Sequence, residues 1–100
     1  MTGTVFLNGR LIPANRARVS VFDRGLLYGD GLFETLRAYR GRVFALDAHL
    51  ARLRVSATFL QLRVPAIDWH HHLVALLERN RLLDRDAALR ITLTRPRPSV

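Results

Sequence analysis

Two stretches of the chain alternate apolar and polar residues with a period of two, and that period commits them to strands half-buried in a sheet. From Leu32 to Tyr39, the residues Leu32, Leu36 and Ala38 fall on one side and Phe33, Thr35, Arg37 and Tyr39 on the other. From Ala87 to Thr94, Leu89, Ile91 and Leu93 oppose Arg90, Thr92 and Thr94. Glu34 interrupts the first pattern. It shares the side of Leu32 and Leu36, where an unpaired carboxylate is costly, so it calls for a partner such as an arginine. A sheet with one apolar side also needs a layer to cover it.

Two helices supply that layer. Leu46, Leu50, Leu53, Ala57 and Leu60 recur at three- and four-residue steps and form one apolar stripe, with Asp47 as the expected N-cap. Arg52 lies on the flank of this stripe, and His49 beside it reads as a packing residue. Pro65 breaks the chain, Asp68 offers a second N-cap, and Trp69, Leu73, Leu76 and Leu77 mark a helix running to about Asn80. At the start, Thr4 to Leu7 and Arg10 to Ile12 flank Asn8-Gly9, which suits a type I′ hairpin turn, and Pro13 ends the second strand. Arg40-Gly41-Arg42 makes a turn after which Val43 to Leu46 is expected to return as a strand. In Tyr28-Gly29-Asp30-Gly31, two glycines around an aspartate suit either an unusual turn or a close approach to a ligand. The sum is an α+β fold, with a β-hairpin start, antiparallel strands and two amphipathic helices.

The 100 residues suffice for one compact domain and not for two. No cysteine is present, which excludes a disulfide framework or a thiolate metal site and agrees with a reducing compartment, the cytoplasm by expectation. No apolar run approaches the roughly 20 residues of a membrane span. The net charge is +8, and all sixteen basic residues are arginine. A guanidinium forms no imine, so any reaction that needs a lysine amine is excluded from this chain. The arginines are scattered from Arg10 to Arg97 without a block of like charge, which favours solvated surface residues over nonspecific nucleic-acid binding. His70, His71 and His72 are neighbours about 100° apart on a helix and cannot share a tetrahedral ion, so no metal site is expected. Arg52 and Arg90 stand beside apolar faces and could grip a phosphate or carboxylate, or be ordinary surface arginines. Nucleophile elbow, P-loop and dinucleotide fingerprint are all missing.

The run Asp23-Arg24-Gly25-Leu26-Leu27-Tyr28-Gly29-Asp30-Gly31-Leu32-Phe33-Glu34-Thr35-Leu36-Arg37, then Gly41-Arg42-Val43-Phe44 and His49-Leu50-Ala51-Arg52-Leu53, resembles the N-terminal region of class IV (fold-type IV) pyridoxal-phosphate-dependent aminotransferases. That family includes branched-chain aminotransferases, D-amino acid transaminases and 4-amino-4-deoxychorismate lyases. The resemblance covers roughly residues 4 to 95. It implies a small N-terminal α+β domain that meets a larger domain around pyridoxal 5'-phosphate in a homodimer, acting on an amino acid or aminodeoxychorismate. It further implies that Arg52 grips the cofactor phosphate, that Tyr28 and Phe33 shape the substrate pocket, and that Arg90 meets the substrate carboxylate. Gly29-Asp30-Gly31-Leu32-Phe33-Glu34-Thr35 is more similar to the lyase and D-amino acid branches than to the branched-chain one.

The resemblance also marks a departure. The family's Schiff-base lysine and the acidic partner of the pyridine nitrogen belong to the C-terminal domain, and no catalytic residue of the family falls within these 100 residues. The expected division is therefore a domain over residues 1–95 and a divergent tail over 96–100, read as a truncation or an early stop, with the lysine-bearing domain absent. On this reading the chain is inactive alone. The competing reading is a non-catalytic binding or interaction module that kept the fold.

Overall fold

The computed structural model describes residues 3–96. Asn8 and Gly9 both take positive φ, 51° and 88°, and close a tight turn between strands β1 (Thr4–Leu7) and β2 (Arg10–Pro13). Their antiparallel register sets Val5 against Ile12 and Phe6 against Leu11, as the turn residues demand. Pro13 is the last residue of β2, where its missing N–H costs no ladder bond beyond it, and a 3-10 turn over Ala14–Arg16 follows.

A second sheet carries the core. Strand β3 (Gly31–Tyr39) pairs antiparallel with β5 (Asp86–Thr94) along its whole length, Leu36 against Leu89 and Ala38 against Ala87. The short strand β4 (Arg42–Val43) lies on the other edge of β3, giving the order β4-β3-β5. The period-two pattern is realised: Leu36, Ala38, Ala87, Leu89 and Ile91 are buried, and the alternate residues of both strands are exposed except Gly31 and Thr94, which are half-buried where the strand ends pair. Helices α2 (Leu46–Leu60) and α3 (Trp69–Arg79) cover that side through Leu50, Leu53, Leu73 and Leu77.

Three local expectations are corrected. The strand expected from Val43 to Leu46 stops at Val43, because Ala45 adopts a left-handed backbone (φ 55°) that turns the chain straight into α2. Asp47 consequently stands in the first turn of α2 and not at its N-cap, where a carboxylate still favours the positive helix end. Leu60 is exposed, since Gln61 ends α2 in a second left-handed residue and the stripe stops at Ala57. By contrast Asp68 caps α3 as expected, accepting from the His71 N–H at 3.1 Å. A third, five-residue helix, α1 (Arg24–Tyr28), was not foreseen.

The Asn80 side chain hydrogen-bonds the hairpin to this core. Asn80, just past α3, accepts from the Thr4 N–H (3.0 Å) and donates through Nδ2 to the carbonyls of Thr4 (2.9 Å) and Leu76 (2.8 Å). One amide thus ties strand β1 to the last turn of α3, 76 residues away. His72 adds to the same junction by packing on Phe6, ring centroids 4.9 Å apart, while His70 and His71 are exposed. Among the described residues no cluster of three or more metal-ligating side chains occurs, and no helix is long and apolar enough to cross a membrane.

Candidate cofactor and substrate site

The buried carboxylate on β3 has found its partners on α2. His49 and Arg52 are three residues apart on that helix and so share one face, which lies over Glu34. Arg52 donates to Glu34 through Nε (3.0 Å to Oε2) and Nη2 (2.7 Å to Oε1), a two-pronged pair, and His49 Nδ1 sits 2.7 Å from Oε1. An ionised carboxylate only accepts, so Nδ1 carries the hydrogen toward Glu34. The 3.3 Å approach of Arg52 Nη2 to that same Nδ1 is then a contact and not a hydrogen bond. The Arg52 hydrogen bonds, followed by that of His49, outweigh burial and hold the Glu34 carboxyl down at about 2. Reciprocally, the hydrogen bonds to Glu34 push the Arg52 guanidinium up.

This pair fixes Arg52 in a particular way. Its side chain is 67% exposed although Glu34 is only 10% exposed, so one edge of the guanidinium is pinned to the fold and the other faces outward. The bonds to Glu34 use Nε–H and one hydrogen of Nη2, which leaves both Nη1 hydrogens and the second Nη2 hydrogen free to donate along the outward edge. His49, expected as a packing residue, is instead the second support of the carboxylate.

The outward face of the sheet carries a different pair. Phe33 lies opposite Thr92 and Arg90 opposite Thr35, which makes Phe33 and Arg90 diagonal neighbours. The Arg90 guanidinium stands over the Phe33 ring at 4.1 Å from its centroid, a cation–π contact on an exposed apolar surface. Tyr28 is 69% exposed at the end of α1. That helix exists because Asp23 caps its first turn, accepting from the N–H groups of Gly25 (2.9 Å) and Leu26 (3.3 Å), and because Gly29 closes it with a left-handed backbone, φ 65°.

Of the four residues singled out from the sequence, the structure brings Phe33 and Arg90 into contact and leaves Tyr28 at the end of α1, against Arg24 and separated from the start of β3 by Gly29 and Asp30. Arg52 reaches the sheet from the helix side, through Glu34. Among the described residues, one concavity of about 590 Å³ lies beside Tyr39 and Phe44 and another of about 980 Å³ between the hairpin, α3 and β5. Arg90 lines the second, whereas Arg52, Tyr28 and Phe33 line neither. Asp23, Arg24, Asp30, Thr94 and Arg95, which join α1 to the end of β5 through Thr94 Oγ1 to Asp23 Oδ1 (3.1 Å) and through Arg24 Nε (3.3 Å) and Arg95 Nε (2.7 Å) to Asp30 Oδ2, do not follow from the sequence reading. Only the Asp30 between two glycines carried a local signal.

The comparisons with known proteins agree with one another. The family model of amino-transferase class IV matches residues 31–99. A Methanocaldococcus jannaschii protein provisionally named branched-chain-amino-acid aminotransferase is 45% identical over 92 residues, which is 91% of this chain and 32% of that protein. Aminodeoxychorismate lyase of Bacillus subtilis is 34% identical over 94 residues, 90% of this chain and 31% of the lyase. An aminotransferase from Mycobacterium tuberculosis described as hypothetical, solved in its pyridoxal-phosphate-bound form, superposes with a TM-score of 0.80 at 31% identity over 94% of this chain and 34% of its own. The fold is that of a small domain of fold-type IV aminotransferases. The chain belongs to the amino-transferase class IV family, and it spans about a third of the length of these relatives.

Proposed function

We propose that this chain is the N-terminal part of a class IV pyridoxal-phosphate enzyme, one that transfers an amino group or cleaves an aminodeoxychorismate-like substrate, and that it contributes cofactor grip and pocket walls without activity of its own. The observation that carries the reading is the pinned guanidinium of Arg52. Glu34 and His49 hold it so that its free edge is presented to solvent, and a phosphate dianion is matched by such an edge through paired, charge-assisted hydrogen bonds. The donor set therefore fits the phosphate of pyridoxal 5'-phosphate. When bound, the cofactor's ring supplies an electron sink at the substrate α-carbon.

The remaining roles fall to the outward face. Arg90 carries a positive charge beside an aromatic ring, a pairing that suits a substrate carboxylate next to an apolar side chain, with Phe33 and Tyr28 as walls. Proton movement at the α-carbon needs a lysine amine, and none occurs among the 100 residues. That amine must come from a part of the protein beyond this chain, in an assembly we take to be a homodimer. The exposed apolar segment of Val21, Phe22, Leu26, Leu27 and Tyr28 is a surface of the kind such an assembly covers.

Covalent labelling tests the division of labour. Incubated with pyridoxal 5'-phosphate and borohydride, the chain should gain mass at its N-terminal amine alone and show no transaminase or lyase turnover. A side-chain adduct, or turnover above the cofactor-only background, would contradict the proposal.

A further inference from the structure

Tyr28 is held by more than its own short helix. The Arg24 guanidinium stands 5.0 Å from the centre of the Tyr28 ring, and its Nε donates to Asp30 Oδ2 at 3.3 Å. The same oxygen accepts from Arg95 Nε at 2.7 Å, and Arg95 Nη2 donates to the carbonyl of Leu60, the last residue of α2. Main-chain bonds close the circle: Arg24 N–H to Arg95 O (3.2 Å), Asp30 N–H to Arg24 O (3.2 Å), and Arg95 N–H to Asp30 O (3.0 Å). Asp30 is thus a shared acceptor for Arg24 of α1 and for Arg95 just past the end of β5, two arginines remote in sequence. With its side chain only 20% exposed, these pairs are better shielded than open surface ones.

We propose that Asp30 is a positioning residue: through Arg24 it fixes the ring of Tyr28, and through Arg95 it ties that ring to the end of the helix bearing Arg52. This inference rests on the reading of Tyr28 as a pocket wall and Arg52 as the phosphate grip. The spacing between those two points is then built into the chain before any ligand arrives. The arginines also hold the Asp30 carboxyl below its ordinary range, the Arg95 hydrogen bond foremost. A cap serving only α1 would act differently, because that helix already has Asp23 at one end and Gly29 at the other.

The test is NMR on the full 100-residue chain and on Asp30→Asn. One readout is the ring-current shift that Tyr28 imposes on the δ protons of Arg24. A second is amide exchange at Leu27 and Gly29, with Leu36 as a core reference. In Asp30→Asn the ring-current shift should collapse toward its random-coil value and exchange at Leu27 and Gly29 should rise about tenfold, while Leu36 stays unchanged. An unchanged ring-current shift would overturn the proposal. Should Asp30→Asn unfold the core as well, Arg95→Lys decides: it keeps the charge on Asp30 and removes the link to Leu60. It should preserve the Arg24 shift and speed exchange at Gln61 and Leu62, and no change at those two amides would overturn the link to α2. None of these readouts contains a cofactor. A bridge that behaves as described in a chain that binds no pyridoxamine 5'-phosphate would leave the positioning role standing and overturn the reading on which it rests.

Discussion

At the residue scale, the buried Glu34 is the feature around which the site is organised. A carboxylate on the apolar side of β3 is tolerable only because Arg52 and His49 both reach it, and its low pKa records that support. The folded value, about 2, lies below the unfolded value of about 4.3. The stability it contributes is therefore fully present above the unfolded value and is lost as pH falls through the folded one. Urea unfolding followed by Trp69 fluorescence should show wild type losing stability relative to Glu34→Gln between about pH 4.5 and 2. Parallel pH profiles for the two would contradict this. At neutral pH Glu34→Gln should cost about 1–3 kcal/mol, since a charge-assisted pair is lost while Arg52 remains solvated. The need for a partner at Glu34 was legible in the sequence, because one acidic residue broke a period-two pattern. That His49 would be the second partner was not, since nothing in an isolated histidine on a helix flank says which way its ring turns.

At the scale of elements, what the sequence revealed depended on how local the cause was. The Asn8-Gly9 hairpin, the alternation of β3 and β5, and the Asp68 cap of α3 each follow from residues within one element. The short α1 stayed hidden because five residues carry no periodicity, and its caps are an aspartate and a glycine that equally suit a turn. The end of β4 was missed because Ala45, a residue with no preference for positive φ, takes one under tertiary constraint. Contacts between elements test this level. Asn80→Ala removes two hydrogen bonds to Thr4 that join β1 to α3, and a third to Leu76 within the end of α3, and should cost about 1–3 kcal/mol, with faster exchange at the Thr4 amide. Gly31→Ala would place a Cβ 2.6 Å from the Leu93 carbonyl oxygen, closer than any real contact, and should destabilise the β3–β5 pair by about 1–3 kcal/mol in thermal unfolding. A wild-type melting temperature in either variant would contradict the packing described.

At the scale of the whole molecule, the sheet is covered on one side and open on the other. Phe33, Tyr39 and Phe44 on or beside the open face, and Phe22, Leu26 and Tyr28 around α1, are large apolar side chains left 45–69% exposed, the kind of surface that association covers. Light scattering should find the chain self-associating, and the double variant Phe22→Ser/Leu26→Ser should lower that tendency without lowering the unfolding midpoint. The chain, about a third as long as its relatives, is accordingly read as one half of a site, supplying grip and walls but no amine. The most direct test of that claim is a calorimetric titration with pyridoxamine 5'-phosphate, which carries the phosphate and cannot form an imine with the N-terminus. Wild type should bind saturably, Arg52→Ala should lose at least about tenfold in affinity, and Arg52→Lys should recover only part of it, since lysine restores charge without the two-edged geometry. Binding to Arg52→Ala with wild-type affinity would contradict it.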